Sequence, residues 1–386
     1  MKSGIIIGGG IGGLTTAIAL QQKGINVKVY ERAPRLQAAG AGISLASNAI
    51  HVYALLGIEQ SIISGGFPIH SATIKDEKDN TLTSLGYAKL LEQFHYPAIA
   101  IHRAVLQQKL LEHLAIQDIQ TGKCFKTFHQ TGNEVSVTFE DGSAAAADFV
   151  IFADGIKSAG RGIIQPGIHP RFGGQTCWRF VVPHGDTSTD RSRVVEIWGD
   201  EKGKRAGFAP LNGADIYGYI TLYKKDEAQF KNGFQKDKLL EICKNFPEFF
   251  KELIAATPEE RFFKDDLCDV KPFRGWSKGN AALLGDAAHA TMPNLGQGAC
   301  QAIEDAYVLA HYLSTESSIT TAFNKYEKIR YQRTKFITDT SWFINQLTNQ
   351  PSLVKKILFL GMKLDFSGQV DRKLMKMLSM KYLDQL

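Results

Sequence analysis

Apolar and polar positions alternate between two periods along this chain. Gly4 to Ile7 is a short β-branched run without a polar break, the pattern of a buried parallel strand. Gly8-Gly9-Gly10-Ile11-Gly12-Gly13 follows. Leu14 to Lys23 then carries Leu14, Ala17, Ile18 and Gln21 at helical spacing, with Gly24 as its stop. Asn26 to Glu31 reads as a second strand with Val27 and Val29 on one face. The opening is therefore a βαβ unit with a right-handed crossover. A Gly-rich strand, Gly40 to Leu45, precedes an apolar helix ending near Gly57. Residues 71–97 read as a hairpin with a polar turn at Asp76 to Asn80. Arg103 to Leu114 reads as a helix with Leu106, Leu110 and Leu114 on one face. Val135–Phe139 and Asp148–Phe152 read as strands around a turn at Asp141-Gly142.

Residues 172–263 alternate as antiparallel strands do (Tyr217, Tyr219, Thr221, Tyr223) and turn helical over 235–256. Ala281–Leu284 reads as another buried strand and Gly298–Leu313 as a helix. Residues 320–386 read as mostly helical, with a break at Pro351. The expected fold is α/β. A Rossmann-like unit is revisited near 100–155 and 280–310, a β-rich block is inserted between the visits, and a helical segment ends the chain.

Composition narrows the class without naming a ligand. The chain has 386 residues, 44% of them hydrophobic, and a formal net charge of +6. That length suits two domains, and the dispersed basic residues give no nucleic-acid footprint. Five well-separated cysteines lack zinc spacing and read as reduced thiols of a cytoplasmic protein. The first apolar run leads straight into the glycine turn, so no signal peptide is expected. No apolar stretch reaches the roughly 18 to 20 residues of a membrane span.

Gly8, Gly10 and Gly13 stand in GxGxxG spacing between a strand and a helix. The first permits the tight turn, the second lets the backbone approach a pyrophosphate, and the third lets helix and strand pack closely. Glu31, 18 residues past Gly13, ends the next strand where a carboxylate accepts ribose hydroxyls. It disfavours a 2′-phosphate there. Arg32 beside it either stacks on an adenine or is solvated. Two further strand ends carry Asp154-Gly155-Ile156-Lys157-Ser158-Ala159-Gly160-Arg161 and Gly285-Asp286-Ala287-Ala288-His289, the latter continuing through Met292 to Gly298.

With these motifs, in this order, residues 1–345 resemble the single-component flavoprotein aromatic hydroxylases. The stretch from Gly285 to Asp305 is most similar to the salicylate- and urate-hydroxylase branch. The resemblance implies an FAD-binding domain built from residues 1–70, 98–171 and 265–345. It implies a substrate-binding β-sheet domain from 71–97 and 172–264, and a terminal helical segment, 346–386. It implies bound FAD, transient NADPH or NADH, and O2, with a small aromatic or heteroaromatic substrate hydroxylated through a flavin C4a-hydroperoxide. A single GxGxxG, with no second nicotinamide domain, agrees with transient docking. The alternatives are a tetracycline-inactivating or epoxidising flavin monooxygenase, or a flavin-binding protein without turnover. A monomer or weak homodimer is expected, with no nucleic-acid partner and no stable membrane insertion.

By the same resemblance, Asp286 bonds the ribityl chain, and Glu31 the adenosine ribose. Arg103, Ser44 and Phe125 contact the FAD. The loop Pro293, Leu295, Gly296, Gln297, Gly298 and Ala299 lies beside the flavin ring, where its N–H groups stabilise negative charge. Asp154 and Arg161 bear on FAD and NAD(P)H; their structural alternative is an ion pair anchoring a strand end. Arg205 and Tyr217 orient substrate, with Arg179 and Asn294 as further substrate contacts. An arginine there fixes a carboxylate or polarises a carbonyl; the alternative for Arg179 and Arg205 is a structural role. Asn294 departs from the urate hydroxylases, which carry an acidic residue at that point. His289 is either a general base or a packed residue of its loop. Leu353 to Lys381, with seven Lys/Arg, reads as a helix capping the active-site entrance, or as a membrane contact.

Overall fold

The computed structural model describes residues 2–36, 41–183, 193–212, 214–224, 233–363 and 369–386. Its first sheet runs, edge to edge, through Ser277–Lys278, Ala281–Leu283, Phe149–Phe152, Ser3–Ile7, Asn26–Tyr30 and Ile119–Gln120. All neighbours pair in parallel except the first two. Ile5, Ile6 and Ile7 are buried on both faces, which a β-branched run satisfies and an alternating strand does not. One face is covered by the helices Ile11–Gln22 and Gly298–Thr315. The other is covered by a three-stranded antiparallel sheet, Phe125–Thr131, Glu134–Phe139 and Ala144–Ala147. The two helices cross closely because Gly12 has no side chain: a Cβ there would stand 3.0 Å from the Ala302 Cβ and from the Leu284 Cδ2.

The second sheet has seven strands in the order Phe263–Val270, Pro170–Pro183, Asp215–Tyr223, Arg205–Pro210, Arg193–Trp198, Ser71–Asp76 and Thr81–Gly86. Its outer face (Phe180, Ile197, Ile220, Leu222) packs on Leu239, Phe250 and Leu253 of the helices Lys236–Ile242 and Glu248–Ala256. Its inner face turns toward the first sheet. The ring of Tyr217 lies against Gly42, where a Cβ would clash at 2.5 Å, and Met292 lies against Gly173. A small sheet of Gly42–Leu45, Ala98–His102 and Gly66–Ile69 closes the space between them. The long helix Ile319–Thr348 touches both halves. Helix Ser352–Lys363 lies on the 71–86 hairpin, with Phe359 against Leu82 and Trp198, and Lys355 donating to the carbonyls of Gly199 (2.8 Å) and Glu201 (2.5 Å).

Several expectations shift. The strand after the Asp141-Gly142 turn is Ala144–Ala147, and Phe149–Phe152 departs into the parallel sheet. Ala98–His102, to which the sequence pattern assigns no element, is a strand of the small antiparallel sheet. The helix from Arg103 ends at Leu111, so Leu114 lies beyond it. Ala88–Phe94 adds a helix after the 71–86 hairpin. Gly40 lies outside the described residues. No helix among them is long and apolar enough to cross a membrane.

Candidate functional site

The strands ending at Ile7, Phe152 and Leu283 are neighbours in the parallel sheet, so their three following turns converge at its carboxyl edge. In open α/β sheets ligands bind at that edge. Gly8 adopts φ +113°, and a Cβ there would strike the Ala153 carbonyl at 2.4 Å. A Cβ on Gly10 would meet nothing within 4 Å, which leaves its backbone open to a ligand. Glu31 accepts from the N–H groups of Gly9 (2.7 Å) and Ala33 (2.8 Å), one on each oxygen. Gln107, not singled out from the sequence, braces the turn by donating to the Gly9 carbonyl at 2.9 Å. Arg32 is exposed beside Glu31.

The ion-pair alternative for Asp154 and Arg161 is not what the turn adopts. One Asp154 oxygen accepts from the N–H groups of Ala159 (2.8 Å) and Gly160 (3.2 Å), while the other is buried without a partner. Burial pushes its carboxyl up, against the opposing pull of these donors. Arg161 instead donates to the carbonyls of Ala287 (3.0 Å), Asp286 (3.3 Å), Ile168 and Ile156, tying the second turn to the third.

Asp286 follows Gly285, whose φ of +62° makes the third turn. Its carboxylate opens onto the cleft and has no hydrogen-bond partner among the described residues, yet protein surrounds it. That crowding pushes the carboxyl up, against the charges of His289, Arg103 and Arg161. Arg103 is exposed at the start of helix Arg103–Leu111, Ser44 lies on the small sheet opposite Ala100, and Phe125 packs edge-on to Phe152. The loop continues as a 3-10 turn, Pro293–Leu295, and Gly296 at φ +61° redirects the chain. Gln297 then leads into Gly298 and Ala299 at the N-terminus of the 18-residue helix.

Behind that loop lies a polar network that no local motif announces. Asn48 donates to Gln297 (3.0 Å) and Glu304 (2.6 Å). Glu304 also accepts from Arg330, Arg333 (2.6 and 2.8 Å), Gln301 (3.1 Å) and Tyr382 (2.7 Å). Asp305 accepts from Arg330 (2.7 Å) and the Gly285 N–H (3.0 Å), and lies 2.6 Å from His289 Nε2. His289 is thus a packed member of the loop, bonded away from solvent. Burial alone would raise both carboxyls. Arg333 and Arg330 nevertheless hold Glu304 at about 2, and His289 with Arg330 holds Asp305 well below the usual range. The only sequence signal was adjacent acids on an otherwise apolar helix and arginines three apart on the next.

Across the cleft, Arg179, Tyr217 and Arg205 do share the inner face of the second sheet, and Asn294 reaches it from the loop. Arg179 bonds Asp265 and the Tyr217 hydroxyl; burial would depress its guanidinium, but the surrounding Cys177, Tyr217 and Asp265 raise it. Arg205 is 2% exposed. One arm donates to Glu196 at 2.9 Å and the other to Asn294 at 2.7 Å. Both arms thus have protein partners, while its buried Nε has none among the described residues.

Residues 2–341 match the family model described as an FAD binding domain. The chain is 33% identical to the aurachin C monooxygenase/isomerase of Stigmatella aurantiaca, covering 100% of this chain and 97% of that protein. It is 31% identical to the FAD-dependent urate hydroxylase of Klebsiella pneumoniae subsp. pneumoniae over 86% of each. The crystal structure of Klebsiella pneumoniae HpxO with FAD and uric acid superposes with a TM-score of 0.89 at 26% identity, over 98% of this chain and 96% of that one.

Proposed function

This chain belongs to the FAD-binding monooxygenase family, and from that premise we propose that it hydroxylates a small aromatic or heteroaromatic compound using NAD(P)H and O2. The observation that carries the reading is the Asp286 carboxylate, unpartnered in a cleft where three strand ends meet beside the open backbone of Gly10. Exposed to the cleft and without a donor among the described residues, this carboxylate keeps its accepting capacity for a ligand hydroxyl.

The residues fit an FAD. Gly10 and the free N–H groups opening helix Ile11–Gln22 suit its pyrophosphate. Each Glu31 oxygen keeps accepting capacity for ribose hydroxyls, and Asp286 accepts from a ribityl hydroxyl. The buried, unpartnered Ser47 Oγ and Asn48 Oδ1 lie close to the same loop. When bound, FAD supplies the redox and oxygen-activating chemistry.

The chain's own residues do the rest. The N–H groups opening helix Gly298–Thr315 would offer positive potential to a bound flavin. The network behind Gln297 fixes that loop, so the donors need no reorganisation. Tyr217 and Arg205 orient the substrate, Arg179 holds the Tyr217 hydroxyl, and Asn294 couples the loop to Arg205. The apolar side chains of Met292, Leu267 and Trp342 exclude water beside Tyr219.

Purified protein should elute yellow with FAD, oxidise NAD(P)H faster with a fitting aromatic, and yield a product one oxygen atom heavier. Loss of FAD on gel filtration, or no ring that raises NAD(P)H oxidation in a panel of phenols and heteroaromatics, would refute this.

A further inference from the structure

The inner face of the seven-stranded sheet has a closed charge inventory. Among the described residues, the cations its strands direct inward are Arg171, Arg179 and Arg205. Each already holds a carboxylate. Arg171 makes two bonds to Asp269 (2.8 and 2.7 Å) while stacking on Trp342, and Arg179 holds Asp265. Arg205 holds Glu196 (2.9 Å), which stands diagonally across the strand pair opposite Gly207. The nearby ammonium of Lys355 is fixed on the carbonyls of Gly199 and Glu201. The amide of Asn294, which faces Arg205 from the loop, adds no charge.

Glu196 is also asymmetric. One oxygen, Oε1, accepts from both Arg205 and the Trp198 indole N–H (2.5 Å). The other has no partner among the described residues and is not sealed from solvent. Gly207, the residue opposite Glu196, has no side chain and lets the Tyr219 ring lie across its strand; a Cβ there would meet the ring at 2.5 Å.

Resting on the monooxygenase reading above, we propose that the substrate is an uncharged ring bearing an N–H or O–H donor, and that Glu196 is the specificity-determining residue. A carboxylate-bearing ring loses its hydration on entry, finds no uncommitted cation on this sheet face and meets the charge of Glu196. Like charges in a desolvated site cost several kcal/mol. A neutral ring escapes both penalties, and its donor satisfies the free Glu196 oxygen.

Matched pairs differing only in charge test this: salicylamide against salicylate, 3-hydroxybenzamide against 3-hydroxybenzoate, and 4-hydroxyquinoline-2-carboxamide against its acid. Binding to the oxidised holoenzyme is read from perturbation of flavin absorbance. The wild type should bind the amide of each pair at least about tenfold more tightly. Glu196→Gln keeps an acceptor for Arg205 and Trp198 but removes the charge. It should shift the acid-to-amide ratio at least about tenfold toward the acid, with the flavin spectrum unchanged. Acids bound as tightly as amides by the wild type, no amide bound at all, or an unshifted ratio in Glu196→Gln would overturn the proposal. NAD(P)H oxidation measured in parallel judges the monooxygenase reading separately, because charge preference in binding does not depend on turnover.

Discussion

Glu304→Gln removes one charge from the buried cluster behind the Pro293–Ala299 loop, leaving Arg330 with Asp305 alone and Arg333 with no carboxylate among the described residues. Burial would raise the Glu304 carboxyl, but the two guanidiniums hold it at about 2 against an ordinary 4.5. At about 1.4 kcal/mol per unit, that difference corresponds to roughly 3 kcal/mol of folded-state stabilisation at neutral pH. The folded value lies below the unfolded one, so as pH falls the unfolded chain takes up the proton first. The stabilisation is complete above the unfolded value and is lost between about pH 5 and pH 2, with about 1 kcal/mol gone by pH 4. Breaking a buried pair by removing one partner costs about 3–5 kcal/mol. Urea unfolding followed by circular dichroism, in FAD-saturated samples, should show a large loss for the variant at pH 7 and a smaller gap from wild type at pH 4. A gap that stays the same at both pH values would refute the placement of an ionised carboxylate in this cluster.

Three further outcomes follow from the site. Asp286→Ala should weaken FAD binding by about 1.5–3 kcal/mol, the worth of a hydrogen bond to a charged group, measured by fluorescence titration of the apoprotein; an unchanged Kd would contradict its role. Gly8→Ala should lower both thermal stability and FAD retention, because the positive φ and the Ala153 carbonyl at 2.4 Å leave no room for a methyl group; a variant that melts and binds FAD like wild type would contradict this. Arg205→Ala should leave FAD bound but release more peroxide per NAD(P)H oxidised, since Glu196 loses its counter-charge; unaltered coupling would remove Arg205 from substrate orientation.

The parallel sheet and its three turns were legible because their signals are local. A β-branched run, a glycine where φ is positive and an aspartate just after a strand each act within a few residues. Ala144–Ala147 was missed because four alanines carry no strand preference and form a strand only by pairing with Val135–Thr138. Ala98–His102 carried no reading of its own because a short apolar run is the same in either sheet; its antiparallel partners, Gly42–Leu45 and Gly66–Ile69, decide the matter. The network joining Asn48, Gln297, Glu304, Arg330 and Tyr382 was invisible for a different reason. Charged residues on a helix read as a solvated face until the partner helix and the terminal segment are seen to cover them. Arg179 and Arg205 of the second sheet were legible one by one, but their pairing with Asp265 and Glu196 depends on strand register.

Asn294 separates two explanations of selectivity at Arg205. It accepts from Arg205 at 2.7 Å and donates to the Ser341 carbonyl at 2.7 Å, so it joins the loop to the sheet and to the long helix. Asn294→Ala leaves an arginine arm without a partner, at a cost of about 1–3 kcal/mol, and removes the second donor to the Ser341 carbonyl, which keeps its helical bond. It frees an arm but leaves Glu196 in place. If the number of free arms sets the preference, Asn294→Ala should favour acids as strongly as Glu196→Gln does. If net charge sets it, Asn294→Ala should lower the unfolding midpoint markedly and leave the acid-to-amide binding ratio near the wild-type value. Glu196→Gln should shift the ratio toward the acid, and it too should lower the midpoint, because the buried Arg205 loses its counter-charge. The charge inventory requires the second outcome, and a ratio shifted equally by both variants would refute it.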